Sequence, residues 1–237
     1  MEYDERALQA VREDRLLINQ YDAWLYDEFE AYVGRRIVEI GCGLGNLLQH
    51  LADKELVVGI EPSQEIVDEM SDLFVDYENV RIEQHSITDP EVLALARLRL
   101  DTAISLNVFE HIEQDDIAIR NTWHLLQPGG TFILIVPAHQ QLYGTMDRSI
   151  GHYRRYTKAM LGNKMKKAGF RVLRQRYLNL LGAVGWWING RLLRRPIPPG
   201  GQLRLLNTIL PALKAVESRF ESPLGVSVLT IAEKVSE

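Results

Sequence analysis

The sequence predicts one α/β domain built on a mostly parallel sheet with helices on both of its faces. Strand-like and helix-like segments alternate through the middle of the chain, as in strands that are joined by helical crossovers. A strand-like segment, 38–40, runs into three glycines at alternate positions, Gly41, Gly43 and Gly45. With 237 residues, of which 46% are hydrophobic, the chain can form one sizeable core but is short for two ordinary domains.

The predicted elements follow one another in the order that such a sheet requires. The predicted strands are 38–40, 56–60, a third that precedes Ser86 in the segment 80–89, 101–106, 131–136, 171–178 and 226–232. Ser63 is expected to cap a helix, because apolar residues follow it at helical spacing and form one face: Ile66, Val67, Met70, Leu73 and Phe74. A helix is predicted over 115–126, and Thr157 is expected to cap another that runs to Ala168 before Gly169.

The glycine-rich turn after the first strand is typical of a nucleotide-cofactor loop. Glycine allows positive φ and a close approach of the backbone to a ligand, and the following helix presents free N–H groups. A dinucleotide fingerprint would need a glycine at position 46, where this chain has Asn46, and no Lys-Ser/Thr pair follows to form a P-loop. Glu39 would repel a pyrophosphate but can pair with an ammonium group. The turn therefore favours a ligand with a positive or zwitterionic head.

A second acidic residue ends the next predicted strand. Glu61 follows the segment 56–60 and lies 20 residues after Gly41, where a carboxylate can accept both hydroxyls of a ribose. Two more segments occur in order, 107–112 (Asn-Val-Phe-Glu-His-Ile) and 125–130 (Leu-Leu-Gln-Pro-Gly-Gly). With these features the chain resembles the class I S-adenosylmethionine (SAM) dependent methyltransferases over roughly residues 35 to 180, and within them a bacterial subgroup similar to the ubiquinone and menaquinone pathway enzymes.

The resemblance implies a Rossmann-like fold with a seven-stranded, mostly parallel sheet, an N-terminal helical lid and a helical insertion before the last strand. It also implies SAM as cofactor. Family members usually carry an acidic residue after the third strand, whereas the matching position here is Ser86, so the adenine contact is expected from Ser86 and the backbone of Ile87. The cofactor residues that the resemblance implies are Glu39, Gly41, Cys42, Gly43, Gly45, Asn46, Glu61, Pro62, Ser86, Ile87, Asn107 and Val108.

We expect a single methyltransferase domain with four parts: an N-terminal helical cap (1–34), the SAM-binding core (35–178), a helical insertion (179–224) and the last strand (225–237). The insertion interleaves Trp and Leu with Arg. This pattern is found in helices that lie in a membrane interface, but a helical hairpin that packs on the sheet or against a second subunit is the favoured interpretation. Peripheral membrane contact and a homodimer are therefore both left open.

Charge is unevenly distributed along the chain. The formal net charge is −5, yet the block 148–195 holds 13 Lys and Arg and no Asp or Glu. Such a block suits a phosphate-bearing substrate, an acidic lipid surface or nucleic acid, or is simply a solvated face. The acidic start of the chain and the lack of an apolar run of about 18 residues disfavour a leader and a membrane span. We expect a cytoplasmic protein.

The acceptor pocket is predicted beyond the carboxyl ends of the fourth and fifth strands. The long polar and aromatic loop after the fifth strand is expected to be functional. His152, followed by His111, is the candidate general base, because imidazole titrates near neutral pH. Two further groups of residues are expected to bind substrate. Arg154 and Arg155 are expected to hold an anionic part of the acceptor, and the pocket is expected to be lined by Tyr143, Tyr153 and Tyr156.

These features predict methyl transfer to an oxygen of a small or lipid-linked, anionic acceptor. N-methylation of an amine is the nearest alternative, followed by RNA methylation, a non-catalytic SAM-binding module and, more distantly, a hydride-transferring dehydrogenase. Nucleic-acid methylation is disfavoured because Asn107 is followed by Val108 and Phe109 rather than by a Pro-Pro-aromatic motif. Cys42 is the single cysteine, which excludes a cysteine-based metal site, and no metal is predicted.

Overall fold

The computed structural model describes residues 15–195, 202–217, 219 and 221–235, with the backbone alone for 15–19 and 202–207. Parts of the predicted N-terminal cap (1–14) and of the insertion (196–201) lie outside these ranges. The strands are β1 (Arg36–Ile40), β2 (Leu56–Glu61), β3 (Val80–Gln84), β4 (Leu100–Leu106), β5 (Leu126–Pro137), β6 (Phe170–Leu178) and β7 (Ser227–Lys234). Each predicted strand is thus found, with its ends shifted by a few residues at most except at the start of β5.

The seven strands form one sheet in the order β3-β2-β1-β4-β5-β7-β6. Strands β1 to β5 pair in parallel, whereas β7 runs antiparallel to both β5 and β6. The chain leaves the β1 side of the sheet after β3 and returns to pair β4 with the other edge of β1. The strand order thus reverses between β1 and β4, and in sheets of this kind ligands bind beyond the carboxyl ends of the strands at such a point.

Helices cover the two faces of the sheet. They are α1 (Arg15–Asp27), α2 (Leu48–Leu51), α3 (Gln64–Leu73), α4 (Asp115–Leu125), α5 (Thr145–Ser149), α6 (Lys158–Lys167), α7 (Leu180–Trp187) and α8 (Gln202–Glu217). Short 3₁₀ turns connect them at Glu30–Tyr32, Pro90–Leu98, Phe109–His111 and Gln140–Leu142, and α7 continues into a π-helical turn, Ile188–Leu192. The predicted Rossmann-like class, including helices before β1 and between β6 and β7, is confirmed.

Alternation along the strands divides the core into two layers, because successive side chains of a strand point to opposite faces. Val38 lies in the layer beneath α4 and α6, while its neighbour Ile37 lies in the layer beneath α1, α3 and α8. Trp24 on α1 is 1% exposed and belongs to the second layer. Helix α1 is therefore packed firmly enough for its polar residues to contribute to a site at the sheet edge.

Two details of the predicted helices differ from the structure. Ser63 occupies the N-cap position of α3, but its side chain makes no capping hydrogen bond. Leu73, predicted on the buried face, is the last residue of α3 and is 45% exposed. Thr157 does cap α6 as predicted, since its hydroxyl accepts a hydrogen bond from the Met160 amide at 3.2 Å.

Candidate active site

The glycine-rich turn brings the loop after β1 against the loop after β4. Gly41 has a φ of +72° and donates its N–H to the Ile60 carbonyl at 2.8 Å. A Cβ atom at Gly41 would lie 2.6 Å from Val108, so a larger residue cannot be accommodated without movement. Gly43, with a φ of +47°, has open space where a Cβ would be. The turn thus leaves room for a ligand above Gly43.

Two acidic residues lie beneath this turn. Glu61 at the end of β2 accepts hydrogen bonds from the amides of Gly43, at 3.3 Å, and Ser63, at 3.2 Å. Glu39 on β1 is 4% exposed, and its Oε2 atom has no hydrogen-bond partner. Burial, followed by the nearby charges of Asp22 and Glu61, raises the pKa of Glu39 well above its usual value.

A third carboxylate reaches the turn from helix α1. Asp22 accepts a hydrogen bond from the Asn46 side chain at 3.1 Å, and burial raises its pKa to about 6. Three carboxylates around one glycine turn, one with a buried unpartnered oxygen, form a site that attracts a cation. The ammonium and sulfonium groups of SAM meet this requirement, whereas a pyrophosphate does not.

The remaining predicted cofactor residues lie at the carboxyl ends of the same strands. Cys42 is buried within the turn, and the Pro62 carbonyl accepts a hydrogen bond from Gln84. Ser86, after β3, shares a 2.8 Å hydrogen bond with the Thr88 hydroxyl, and the Ile87 carbonyl accepts one from Asn121. Asn107, after β4, has a φ of +54° and donates its amide to Ile135. The structure brings all the predicted segments to one edge of the sheet.

A cavity of about 640 Å³ lies next to this turn. Asn107 and Tyr21 line it, and their neighbours Val108 and Asp22 contact the glycine turn. The cavity continues away from the turn to residues of the loop after β5, of α7 and of β7. Its other lining residues are Glu110, His111, Pro137, Ile150, His152, Arg155, Asn179, Leu181, Gly182, Gly185, Trp186, Ile209, Val226 and Ser227.

One carboxylate and two imidazoles meet in the wall of this cavity. Glu110 Oε1 and His152 Nε2 are 3.7 Å apart, and the rings of His111 and His152 meet edge to face at 4.7 Å between centroids. Burial raises the pKa of Glu110 to about 8, which its own backbone amide and the charge of Arg155 only partly oppose. Burial and the neighbouring His152 lower the pKa of His111 to about 4.

Asp147 on α5 orients the imidazole of His152 in this cluster. Its carboxylate accepts hydrogen bonds from His152 Nδ1 at 3.0 Å and from Arg155 Nε at 2.6 Å. It also accepts from Trp186 Nε1 at 3.1 Å and from the Gly144 amide at 2.9 Å. Burial alone would raise the pKa of Asp147, but these partners lower it to about 2. The contact with Asp147 orients the ring of His152 so that Nε2 points towards Glu110.

Comparison with known proteins relates part of the chain to one family. A family model described as a methyltransferase domain matches residues 38–132, which include the glycine turn and the ends of β2 to β4. Residues 38–132 therefore match a methyltransferase domain. Its cofactor is S-adenosylmethionine, in agreement with the carboxylates around the turn. The predicted family and cofactor are thus confirmed.

Individual relatives agree with this assignment. A ubiquinone biosynthesis O-methyltransferase of Ruegeria pomeroyi is 32% identical over 123 residues, 49% of this chain and 46% of the relative. A probable SAM-dependent methyltransferase of Mycolicibacterium smegmatis is 23% identical over 171 residues, 71% of this chain and 64% of the relative. The chain thus spans less than two thirds of each relative's length.

A solved structure shares the fold of this chain. The SAM-dependent methyltransferase from Mesorhizobium loti matches with a TM-score of 0.60 and 16% identity, covering 88% of this chain and 96% of that one. At this level of identity the likeness concerns the fold, and the substrate must be argued from the residues of the site.

Several predicted substrate residues do not line this cavity. Tyr156 is fully buried in the core, where its hydroxyl bonds to the Phe109 carbonyl and to Asp115. Arg154 turns away and donates to the carbonyls of Ile112 and Glu113. Tyr153 is 53% exposed and lies beside Arg154, and Tyr143 donates to the His152 carbonyl. Arg155 lines the cavity, but Asp147 and the Ala138 carbonyl occupy its guanidinium.

Sequence reasoning missed three acidic residues of the site. Glu110 lies inside the 107–112 segment but was assigned no role, although a carboxylate in an apolar stretch is a usable indication. Asp147 lies five residues before His152 in a polar loop, where nothing distinguishes it from a solvated residue. Asp22 is one of many acidic residues in the N-terminal stretch, so its position at the turn follows from the packing of α1.

Replacing Glu61 should weaken cofactor binding. We expect Glu61→Ala to cost about 1 to 3 kcal/mol of SAM binding, because the ribose hydroxyls would lose a charged acceptor. Glu61→Gln keeps one acceptor oxygen and should lose less. Calorimetric titration with SAM measures both, and Glu78→Ala, which removes an exposed carboxylate, is the matched control. Unchanged affinity in Glu61→Ala would contradict the ribose assignment.

The raised pKa of Asp22 predicts a pH-dependent stability. A carboxyl group whose pKa is higher in the folded than in the unfolded protein binds more protons in the folded state. The free energy of unfolding therefore falls as pH rises from about 4 to about 6 and then levels off. Asp22→Asn removes this loss and should stabilise the cofactor-free protein by about 1 to 3 kcal/mol at pH 7.5, with little effect at pH 4. Urea unfolding at the two pH values tests this, with the exposed Asp72→Asn as control; equal effects at both values would refute it.

Proposed function

We propose that the protein transfers the methyl group of SAM to an oxygen of an acceptor that binds in the 640 Å³ cavity. The observation that carries the proposal is the group formed by Glu110, His111 and His152, which lies in the cavity wall close to the cofactor end at Asn107. A methyl acceptor with a hydroxyl group needs such a group to handle its proton, because a neutral hydroxyl is a weak nucleophile.

SAM supplies a methyl group on a sulfonium that is already a good leaving group. The chain's own task is to hold the acceptor oxygen in line with that methyl group at near-attack distance. Glu39 and Asp22 attract the positive end of the cofactor, and Glu61 accepts from the ribose. In the reaction the acceptor O–H bond and the methyl C–S bond break, a C–O bond forms, and the proton leaves through the Glu110–His152 side of the cavity.

The same group favours oxygen over nitrogen as the acceptor atom. A free amine needs little help to become nucleophilic, whereas a hydroxyl needs a basic or electrophilic group beside it. His152 presents Nε2 to the cavity because Asp147 holds Nδ1. The O-methyltransferase name of the Ruegeria pomeroyi relative supports the same choice.

The surface around α7 supports a lipid-linked acceptor and peripheral membrane contact. Helix α7 borders the cavity with Gly182, Gly185 and Trp186, while its outer side and the following turn carry exposed apolar residues. These are Leu181, Val184, Trp187, Ile188, Leu192 and Leu193, between 38% and 62% exposed. We call them the α7 surface. No described helix is long and apolar enough to cross a bilayer.

Charge next to the α7 surface favours an anionic partner. Arg191, Arg194 and Arg195 are exposed beside it, whereas Arg154 and Arg155, predicted to hold the anionic group, bond within the protein. An acceptor with an apolar tail can therefore bind with its tail along α7 and its hydroxyl in the cavity. Its charged group would then lie at the outer arginines. A second copy of the chain is the alternative partner for this surface.

The test of the function is methyl transfer from methyl-labelled SAM to hydroxylated, lipid-linked acceptors. Wild-type protein should label the acceptor oxygen, and His152→Ala should slow turnover by about 10²- to 10⁴-fold with SAM affinity unchanged. His124→Ala removes an exposed imidazole elsewhere and should retain full rate. Labelling of amines alone would exclude the proposed O-methylation, and a near-normal rate in His152→Ala would exclude the role of this histidine.

Membrane contact predicts binding to anionic vesicles. Wild-type protein should sediment with vesicles that contain phosphatidylglycerol and less with phosphatidylcholine alone. The double variant Leu192→Ala/Leu193→Ala should bind about 10- to 30-fold more weakly, because two partly buried leucines lose their transfer energy. Leu73→Ala/Leu173→Ala, with two leucines of 45% and 43% exposure elsewhere, is the matched control. Equal loss in both variants, or a dimer that the first variant dissociates, would contradict the proposal.

A further inference from the structure

Glu110 is buried without the partners that a buried carboxylate requires. Its side chain is 0% exposed, and neither carboxylate oxygen makes a hydrogen bond of acceptable geometry. The nearby guanidinium of Arg155 is already held by Asp147 and by the Ala138 carbonyl. Buried carboxylates in proteins are normally paired, hydrogen-bonded or bound to a metal. Both carboxylate oxygens of Glu110 therefore remain available to bind a ligand.

The two histidines supply the remaining donors of a metal site. One ligand atom each from Glu110, His111 and His152 lies within 4.8 Å of the other two. Glu110 Oε1 and His152 Nε2 are 3.7 Å apart, too far for a hydrogen bond. Two ligands bound to one ion at about 2.0 to 2.2 Å lie about 3 to 3.6 Å apart, so small side-chain movements bring the three donors to one ion.

The surroundings of both histidines are those that metal ligands usually have. A metal-bound imidazole donates its other N–H to a carboxylate or to the backbone, which fixes its orientation. His152 Nδ1 contacts Asp147 Oδ1 at 3.0 Å, and His111 has a hydrogen bond with the backbone of Gly151. Asp147 is itself held by Arg155 and Trp186. Nε2 of His152 is thus oriented before any ion binds.

We propose that Glu110, His111 and His152 bind one divalent transition-metal ion in the wall of the acceptor cavity. Three protein ligands leave positions for water or for an oxygen of the acceptor, as in catalytic rather than structural sites. Two imidazoles with one carboxylate favour Zn²⁺, Mn²⁺ or Fe²⁺ over Mg²⁺ or Ca²⁺, which prefer oxygen ligands.

This inference rests on the proposed function for its chemical role. An acceptor hydroxyl that replaces water on the ion becomes more acidic and releases its proton to solvent, so the bound oxygen attacks the methyl group as an oxyanion. His152 then serves as a ligand through Nε2, the atom that would otherwise act as the base. The two roles exclude each other, because one lone pair cannot bind a metal and a proton together.

Metal binding can be measured without any acceptor. Purified full-length protein freed of metal with a chelator should bind one Mn²⁺ per chain, seen as loss of the free-ion signal in electron paramagnetic resonance, and Zn²⁺ should compete for the same site. Mg²⁺ should compete at least 10-fold more weakly. Glu110→Gln, close in size to glutamate, should weaken Mn²⁺ binding by at least 10-fold, and Asp147→Asn by about 10- to 100-fold.

Glu113→Gln changes an exposed carboxylate three residues away and should leave Mn²⁺ binding unchanged. Circular dichroism and SAM titration of each variant separate loss of the site from loss of the fold. The metal site would be overturned if neither Mn²⁺ nor Zn²⁺ bound at millimolar concentration, or if Glu110→Gln and wild type bound Mn²⁺ equally. If SAM binding and turnover were still observed in that case, the proposed methyltransferase function would be retained. Metal binding without SAM binding would overturn the proposed function instead.

Discussion

The buried carboxylate of Asp147 is the interaction on which the acceptor side of the molecule depends. It joins α5 to the neighbouring His152–Arg155 segment and, through Trp186, to α7, which lies further along the chain. A buried charge is stable only when it is paired and hydrogen-bonded on all sides. Because Arg155 is 1% exposed and stacks on the Trp186 ring at 4.8 Å, the separation between loop and helix is set by this pair.

The cofactor side depends on a different constraint, the backbone geometry after β1 and β4. Positive φ at Gly41 and the 2.6 Å approach of Val108 to its missing Cβ require glycine at this position. The carboxylates of Glu39 and Glu61 lie at the carboxyl ends of β1 and β2, next to the point where the strand order reverses. The two sides meet at Asn107 and Tyr21, which line the cavity.

The strands, most helices and the cofactor turn could be predicted because their indications are local. The spacing of apolar residues indicates which face of an element is buried, and glycines with flanking acidic residues indicate a turn at the end of a strand. The acceptor residues could not be predicted in the same way. Tyr156 and Arg154 occur in a polar, aromatic loop that suggests a pocket wall, but the first joins the core and the second caps the turn at Ile112.

The sequence alone determined the fold class, the family and the cofactor, because each is indicated by short segments and by their spacing along the chain. The tertiary structure alone decided which polar residues of the loops face one another. Glu110, His111 and His152 are brought together by the packing of the β5 loop over the end of β4, and Asp22 reaches the glycine turn because α1 packs on the sheet. Such long-range contacts depend on side-chain directions, which local patterns do not encode.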